Sequence, residues 1–172
     1  MNRKQFLRAG LLLTTGAVLR VQAQEKSSPP PAPPAPNPAA PDRGPALDPA
    51  LVKDFVVAGH GNLPKVKELL LASPALLNAC WDWGGGDFET ALGGAAHMGR
   101  RDIAEFLIAS GTRVDVFAAA MLGQLEIVKA ACTAFPNTPK VPGPHKIPLI
   151  AHAQKGGPEA GAVLAYLNSI VA

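Results

Sequence analysis

The fold is decided by residues 90–111, which read TALGGAAHMGRRDIAEFLIASG. Thr90 precedes a run of small and apolar residues, where its hydroxyl can cap a helix while the small side chains let a second helix approach closely. Gly99 follows at the point where a left-handed turn would end that helix, and Gly111 ends a second one. This stretch therefore predicts two short helices joined by a tight turn. The residues that recur at the spacing of one core-facing helical side are Ile103, Phe106 and Leu107.

The same pattern of a small-residue pair, a glycine and an apolar run returns around Gly123. The glycine and the apolar run recur around Gly156 and, in a degenerate first copy, around Gly61. The intervals are 99 − 61 = 38, 123 − 99 = 24 and 156 − 123 = 33 residues. The long first interval predicts extra residues that protrude between the first two copies. The short second interval predicts a tight connector between the second and third copies.

Residues 90–111 resemble the ankyrin repeat, whose pattern is Thr-Pro-Leu-His-x-Ala-Ala-x-x-Gly followed by a helix of the type Ile/Val-Val-x-x-Leu-Leu. The resemblance covers roughly residues 50–172 and is strongest in the second copy. It implies an all-α helical-repeat solenoid, and tetratricopeptide or HEAT-type repeats, which lack this signature, would also be all-α. The approximate repeats are 50–80, 88–113, 114–137 and 145–172. One copy buries too little apolar surface to fold alone, so the copies must stack.

Residues 1–23 have a basic start, the apolar run GLLLTTGAVL and the small residues Val21 and Ala23 before a cleavage point. This order is typical of a signal peptide, and cleavage is expected after Ala23. The start resembles the twin-arginine export motif, with Lys4 in place of the second arginine, so both the twin-arginine and the Sec route stay open. We expect an exported protein of the periplasm or cell envelope. Residues 24–49 are rich in proline and alanine and predict a disordered linker.

The positive charge of the chain belongs mostly to its first twenty residues. The formal charge is +3, from 16 Lys and Arg against 13 Asp and Glu. Without the four basic residues of that segment the balance is 12 against 13, or about −1, which argues against nucleic acid as a partner. The apolar run is about half of the roughly 20 residues that cross a bilayer, so we expect no permanent membrane anchor.

The sequence offers no recognised catalytic, cofactor-binding or metal-binding motif. No two of the histidines His60, His97, His145 and His152 share one helix face at metal-ligand spacing, so the sequence predicts no metal ligand. Cys80 and Cys132 fall in different repeats and are expected to be separate thiols, although one disulfide stays open. We therefore expect a non-enzyme with no cofactor. A hydrolase assembled from His97, Asp82 and Cys132 is a remaining alternative.

The one segment with binding character lies between the first two repeats. Both tryptophans of the chain fall there beside a phenylalanine and three acidic residues, and aromatics on projecting loops are typical recognition anchors. We expect a monomeric protein–protein interaction module, with small-ligand or carbohydrate binding through Trp81 and Trp83 as the alternative. A structural role for this loop also stays open. The candidate partner-binding residues are Trp81, Asp82, Trp83, Asp87, Phe88 and Glu89.

Overall fold

The computed structural model describes residues 44–171, which are mostly helical, as the sequence predicts. The expected signal peptide and most of the expected linker lie outside the described residues. The α-helices are α1 Pro49–Gly59, α2 Leu63–Ala72, α3 Ala91–Met98, α4 Arg101–Ala109, α5 Val116–Met121, α6 Leu125–Ala134, α7 Leu149–Lys155 and α8 Gly161–Val171. Short 3-10 turns lie at Pro74–Asn78, Thr138–Lys140, Pro144–Lys146 and Gly157–Ala160.

The helices form consecutive pairs, and the first helices of these pairs pack on one another in chain order, α1 on α3, α3 on α5 and α5 on α7. Their contact surfaces are made largely of alanine, as in α5, where Ala118, Ala119 and Ala120 are fully buried. Small side chains bring the helix axes close together, and the larger apolar groups fill the space between the two helices of each pair. Among the latter, Ile103 and Leu107 are fully buried, and Phe106 is half-buried against the same core.

Four of the described helices begin on side-chain caps, at Asp48, Asn62, Thr90 and Asp115. Thr90 Oγ1 accepts a hydrogen bond from Gly93 N at 3.0 Å, as predicted. Asp115 Oδ1 accepts one from Ala118 N at 2.8 Å and starts α5 in the same way. Such caps satisfy backbone donors that have no partner inside the helix, and each contributes about 1 kcal/mol.

The turn glycines do not all serve the same purpose. Gly99 and Gly123 adopt left-handed conformations with φ of 71° and 77°, as the turn prediction requires. Gly156, which aligns with them in sequence, has φ −70°, and its neighbour Gly157 takes the left-handed position instead. A Cβ on Gly156 would overlap the carbonyl of Met121, so this glycine permits close packing rather than a turn.

The extra residues between the first two pairs form a hairpin, defined here as residues 80–90. Strands β1, Cys80–Asp82, and β2, Phe88–Thr90, pair antiparallel with Trp81 opposite Glu89. All three glycines of the tip, at 84–86, have positive φ. The hairpin packs beside α1, so it extends the first pair rather than standing free.

The second and third pairs are joined by the short segment 110–115, as the spacing of the glycines predicts. Thr112 Oγ1 donates to Leu77 O at 3.2 Å, and Asn78 Oδ1 accepts from Arg113 N at 2.8 Å. These bonds fix the join against the end of the first pair.

Cys80 is exposed and Cys132 is buried, and both are free thiols. Within residues 44–171, no helix has both the length and the apolar character needed to cross a membrane.

Candidate metal centre

The centre of the site is Glu89, whose side chain is completely buried although the sequence placed it on a loop. It lies on β2 and points into the molecule, while the preceding residue, Phe88, points outward and is 60% exposed. The indole Nε1–H of Trp83 donates a hydrogen bond to Glu89 Oε2 at 2.8 Å. A buried carboxylate is costly unless other groups compensate its charge, so the surroundings of Glu89 define what the site can do.

Two histidines reach Glu89 from the ends of neighbouring first helices. His60 caps the C-terminus of α1, and its Nε2 lies 3.2 Å from Glu89 Oε2. His97 lies in the last turn of α3, and its Nε2 lies 3.7 Å from Glu89 Oε1. Because α1 and α3 stack side by side, residues at the ends of these helices become neighbours in space.

The third histidine comes from the segment between α6 and α7. His145 lies in the turn Pro144–Lys146 with φ 56°, and its Nε2 lies 3.2 Å from Glu89 Oε2. Its backbone N–H donates to Asp87 Oδ1 at 2.8 Å, and its Nδ1 lies 2.9 Å from Asp87 Oδ2. The hairpin therefore holds His145 at two points besides Glu89.

We call these four residues, His60, Glu89, His97 and His145, the His3Glu cluster. One nitrogen or oxygen from each, all within 4.8 Å of one another, could serve as metal ligands. The rings of His97 and His145 stack with centroids 5.3 Å apart, and those of His60 and His97 meet edge to face at 4.9 Å. Four chain segments thus bring their donor atoms to one point.

Several polar atoms of the cluster have no hydrogen-bond partner among the described residues. They are Glu89 Oε1 and both ring nitrogens of His97. The side chain of His97 is only 7% exposed, so bulk water does not readily replace the missing partners. Leaving one buried polar group unpaired costs about 1–3 kcal/mol, which a fold does not normally accept without a gain elsewhere.

The hydrogen-bond partners of His60 and His145 indicate which ring nitrogen carries the proton. His60 Nδ1 faces the carbonyl of Val56 at 3.0 Å, and His145 Nδ1 faces the carboxylate of Asp87. Both partners are acceptors, so Nδ1 carries hydrogen in each ring and a neutral ring presents a bare lone pair at Nε2. Those lone pairs point at the Glu89 carboxylate. This contact is repulsive unless the rings are protonated or a cation lies between them.

The pKa values of the two buried members of the cluster, Glu89 and His97, lie below their ordinary values, whereas the pKa of the half-buried His60 lies above its ordinary value. Burial would raise the pKa of Glu89, but hydrogen bonds from His60 and Trp83 outweigh it, so this pKa lies below the ordinary value. The hydrogen bond to Glu89 raises the pKa of His60 against the opposing effect of burial. Burial lowers the pKa of His97, and the nearby carboxylate does not fully offset that effect. Glu89 is therefore ionised and His97 neutral, the states in which both can bind a metal ion.

The six candidate partner-binding residues have different surroundings in the structure. Glu89 and Asp87 belong to the interior network around the histidines, while Asp82 accepts a hydrogen bond from Gly84 N at 2.8 Å in the turn. Trp81 is half-buried, with Lys53 Nζ 5.6 Å from its ring centroid. Trp83 is 37% exposed and Phe88 is 60% exposed, so these two leave apolar surface available on the hairpin.

Sequence reasoning did not identify the cluster because it searched for histidine pairs on single helices. The available signal was that His60 and His97 both stand close before a turn glycine in adjacent copies, positions that stacking brings together. Nothing local marks His145, which is 48 residues beyond His97 (145 − 97). The fourth histidine, His152, is buried elsewhere, with Nδ1 3.1 Å from Pro148 O and its ring against Phe117.

Comparisons of the chain with protein-family models, with curated proteins and with solved structures found no match.

Proposed function

We propose that this protein binds a divalent transition-metal ion through His60, Glu89, His97 and His145. The observation that carries the proposal is the convergence of these four donor groups around buried atoms that have no other partner. A cation at that point would occupy the lone pairs of the three imidazoles and compensate the charge of Glu89.

The donor set favours zinc and its neighbours in the first transition row. Imidazole nitrogens suit Zn²⁺, Cu²⁺, Ni²⁺ and Co²⁺, whereas Ca²⁺ and Mg²⁺ prefer oxygen and Cu⁺ prefers sulfur. A tetrahedral ion with bonds of about 2.0–2.1 Å would hold its ligand atoms about 3.3 Å apart. His60 Nε2 and His145 Nε2 each lie 3.2 Å from Glu89 Oε2, close to this value, and all four donor atoms lie within 4.8 Å of one another.

The groups around the cluster support the same function. Metal-binding histidines usually donate their second ring N–H to a carbonyl or carboxylate, which fixes the ring and strengthens the ligand. Val56 O serves His60 in this way, and Asp87 serves His145. Trp83 donates a hydrogen bond to Glu89 Oε2 and so helps to orient the carboxylate.

The test is a calorimetric titration of the chelator-treated full chain with Zn²⁺, with Co²⁺ added in parallel to report coordination by visible absorption. We expect one ion per chain. His60→Gln and His97→Gln should each weaken binding by at least about tenfold, because each removes a ligand. His152→Gln is the matched control, since it removes a buried histidine outside the cluster. Equal affinity in the wild type and in both cluster variants would overturn the proposal.

A second function, protein recognition by an exported ankyrin-type solenoid, is favoured by the exposure of Phe88 and Trp83 on the hairpin. Consecutive stacking of the four helix pairs supports this architecture. Stacking of a sugar on Trp81 and Trp83 is less favoured, because Lys53 Nζ lies over the ring of Trp81 and the indole N–H of Trp83 is hydrogen-bonded to Glu89. Phe88→Ala should abolish partner capture from envelope fractions while leaving ion binding intact. Unchanged capture would exclude the hairpin as the recognition surface.

A further inference from the structure

We propose that the ion, once bound at the site of the proposed function, fastens the segment between α6 and α7 to the hairpin. This segment comprises residues 135–148 and is called here the α6–α7 connector. Of the cluster's donors, His145 alone belongs to it, while the other three come from residues 60–97. An ion held by all four would therefore link the connector to the first half of the repeat stack.

The connector buries little of its surface, although its turn Thr138–Lys140 contacts α6, α7 and α8. All residues of the connector lie in the described part of the chain, and none of them is buried. Gly143 rests against α5, where an added Cβ would lie 3.0 Å from the ring of Phe117. Phe135 and Val141 are 72% and 54% exposed, whereas Ile147 is half-buried, so two of the larger apolar groups of the connector do not anchor it. A segment with so little buried apolar surface opens at low free-energy cost unless polar contacts hold it.

The connector also leaves space between itself and the hairpin. A cavity of about 430 Å³ lies between the hairpin tip and the turn that contains His145. Side-chain packing therefore does not close the two segments against each other at this point. The cavity is lined by Gly84, Gly85, Gly86, Asp87, Gly143 and Lys146.

The backbone at the contact is strained. His145 and Lys146 have φ of 56° and 58°, and they are the non-glycine residues with positive φ within residues 44–171. Such a conformation is unfavourable for a residue with a side chain and persists only where other contacts enforce it. The contacts that hold it are the two bonds to Asp87, the approach of Nε2 to Glu89, and backbone hydrogen bonds such as Gly143 N to Ile147 O at 2.9 Å. An ion between His145 Nε2 and Glu89 would add a further attachment at this point.

These observations assign two roles to the ion. It binds His145 Nε2, and it holds the strained turn in place so that Asp87 keeps both of its bonds. Removing the ion would release the connector while the helix pairs stay folded, because their buried apolar clusters do not include it. Ion binding would thereby control how the exposed side chains Phe135 and Val141 are presented.

The experiment is hydrogen–deuterium exchange of the full chain, followed by mass spectrometry, in chelator, in saturating Zn²⁺ and in Mg²⁺. We expect Zn²⁺ to slow exchange at least about tenfold in peptides that cover residues 135–148, while peptides from α4 stay unchanged. Mg²⁺ should have no effect, since the donors are mostly nitrogen. His145→Gln keeps three donors, so at saturating Zn²⁺ it should bind an ion without protecting the connector. His152→Gln should behave as the wild type.

The outcomes separate this inference from the function on which it rests. If calorimetry shows one Zn²⁺ per chain but exchange in the connector does not change, the ion does not fasten this segment, although the metal site stands. Protection of the connector in His145→Gln equal to that in the wild type would also overturn the inference. If no Zn²⁺ binds, both the proposed function and this inference fail.

Discussion

The two joins between the first three helix pairs both lead into a capped helix, but they differ in length and structure. The first passes through the hairpin to Thr90, which caps α3, and the second runs directly through 110–115 to Asp115, which caps α5. After both joins the next helix begins at a capping side chain, so stacking of the helix pairs does not require a hairpin. The extra residues of the first join instead carry Asp87 and Glu89 to the histidines. A longer connection with a buried acid indicates a functional role that the short connection lacks.

The strongest test of this difference is Glu89→Gln in the hairpin. Neutralising the buried acid removes both a ligand and the charge that compensates the ion, so we expect Zn²⁺ affinity to fall at least about 100-fold, or roughly 2.7 kcal/mol. Calorimetric titration measures this change. Glu105→Gln on α4, whose side chain is 61% exposed, is the matched control and should bind as the wild type. Binding that survives Glu89→Gln would remove the distinction between the two joins.

A second test compares a turn within a helix pair with the short join. Gly99→Ala places a Cβ 2.6 Å from the carbonyl of Lys155 as well as in a left-handed backbone, whereas Gly111→Ala has strained φ but open space. We expect a loss of at least about 2 kcal/mol in the free energy of unfolding for Gly99→Ala and about 1 kcal/mol for Gly111→Ala. Urea denaturation followed by circular dichroism measures both. The reverse order would mean that the joins, rather than the turns, limit stacking.

The two caps give a smaller and more selective comparison. Thr90→Ala and Asp115→Ala should each lower the free energy of unfolding by about 1 kcal/mol, since each leaves a helix donor unpaired. Thr90 directly follows Glu89, so its replacement should also weaken Zn²⁺ binding, whereas Asp115→Ala should not. Denaturation and titration of the same two variants check this. Equal effects on Zn²⁺ affinity would show that the hairpin is not specially coupled to the site.

The smallest effect concerns His152, a buried histidine remote from the hairpin. Burial lowers its pKa below the ordinary 6.5, so the folded chain favours the neutral ring. Above about pH 6.5 the folded and unfolded forms are both neutral there, and below it the unfolded chain takes up a proton that the folded chain resists. Unfolding free energy should therefore fall on acidification, less steeply in His152→Leu. Equal pH slopes in chelator would contradict this assignment.

Local signals made much of the fold readable from the sequence. The cap at Thr90 and the left-handed turn at Gly99 depend on residues within a few positions, and both were predicted. Gly156 aligned with Gly99 but packs against Met121 instead, because the contact that decides its role comes from another helix pair. The same limit applies to His145, whose carboxylate partners Asp87 and Glu89 lie more than fifty residues away. Patterns within a helix predict the helix pairs, whereas the site depends on how these pairs stack on one another.

The spread of the donor atoms from His60 to His145 also bears on when an ion can be acquired. A chain folded only through its second helix pair would hold three of the four donors, and the complete set forms only when the turn before α7 is in place. Metals of this row compete for the same nitrogen ligands with affinities that do not follow their biological roles. Occupancy would therefore be decided by the free metal in the compartment where folding finishes, rather than where translation starts.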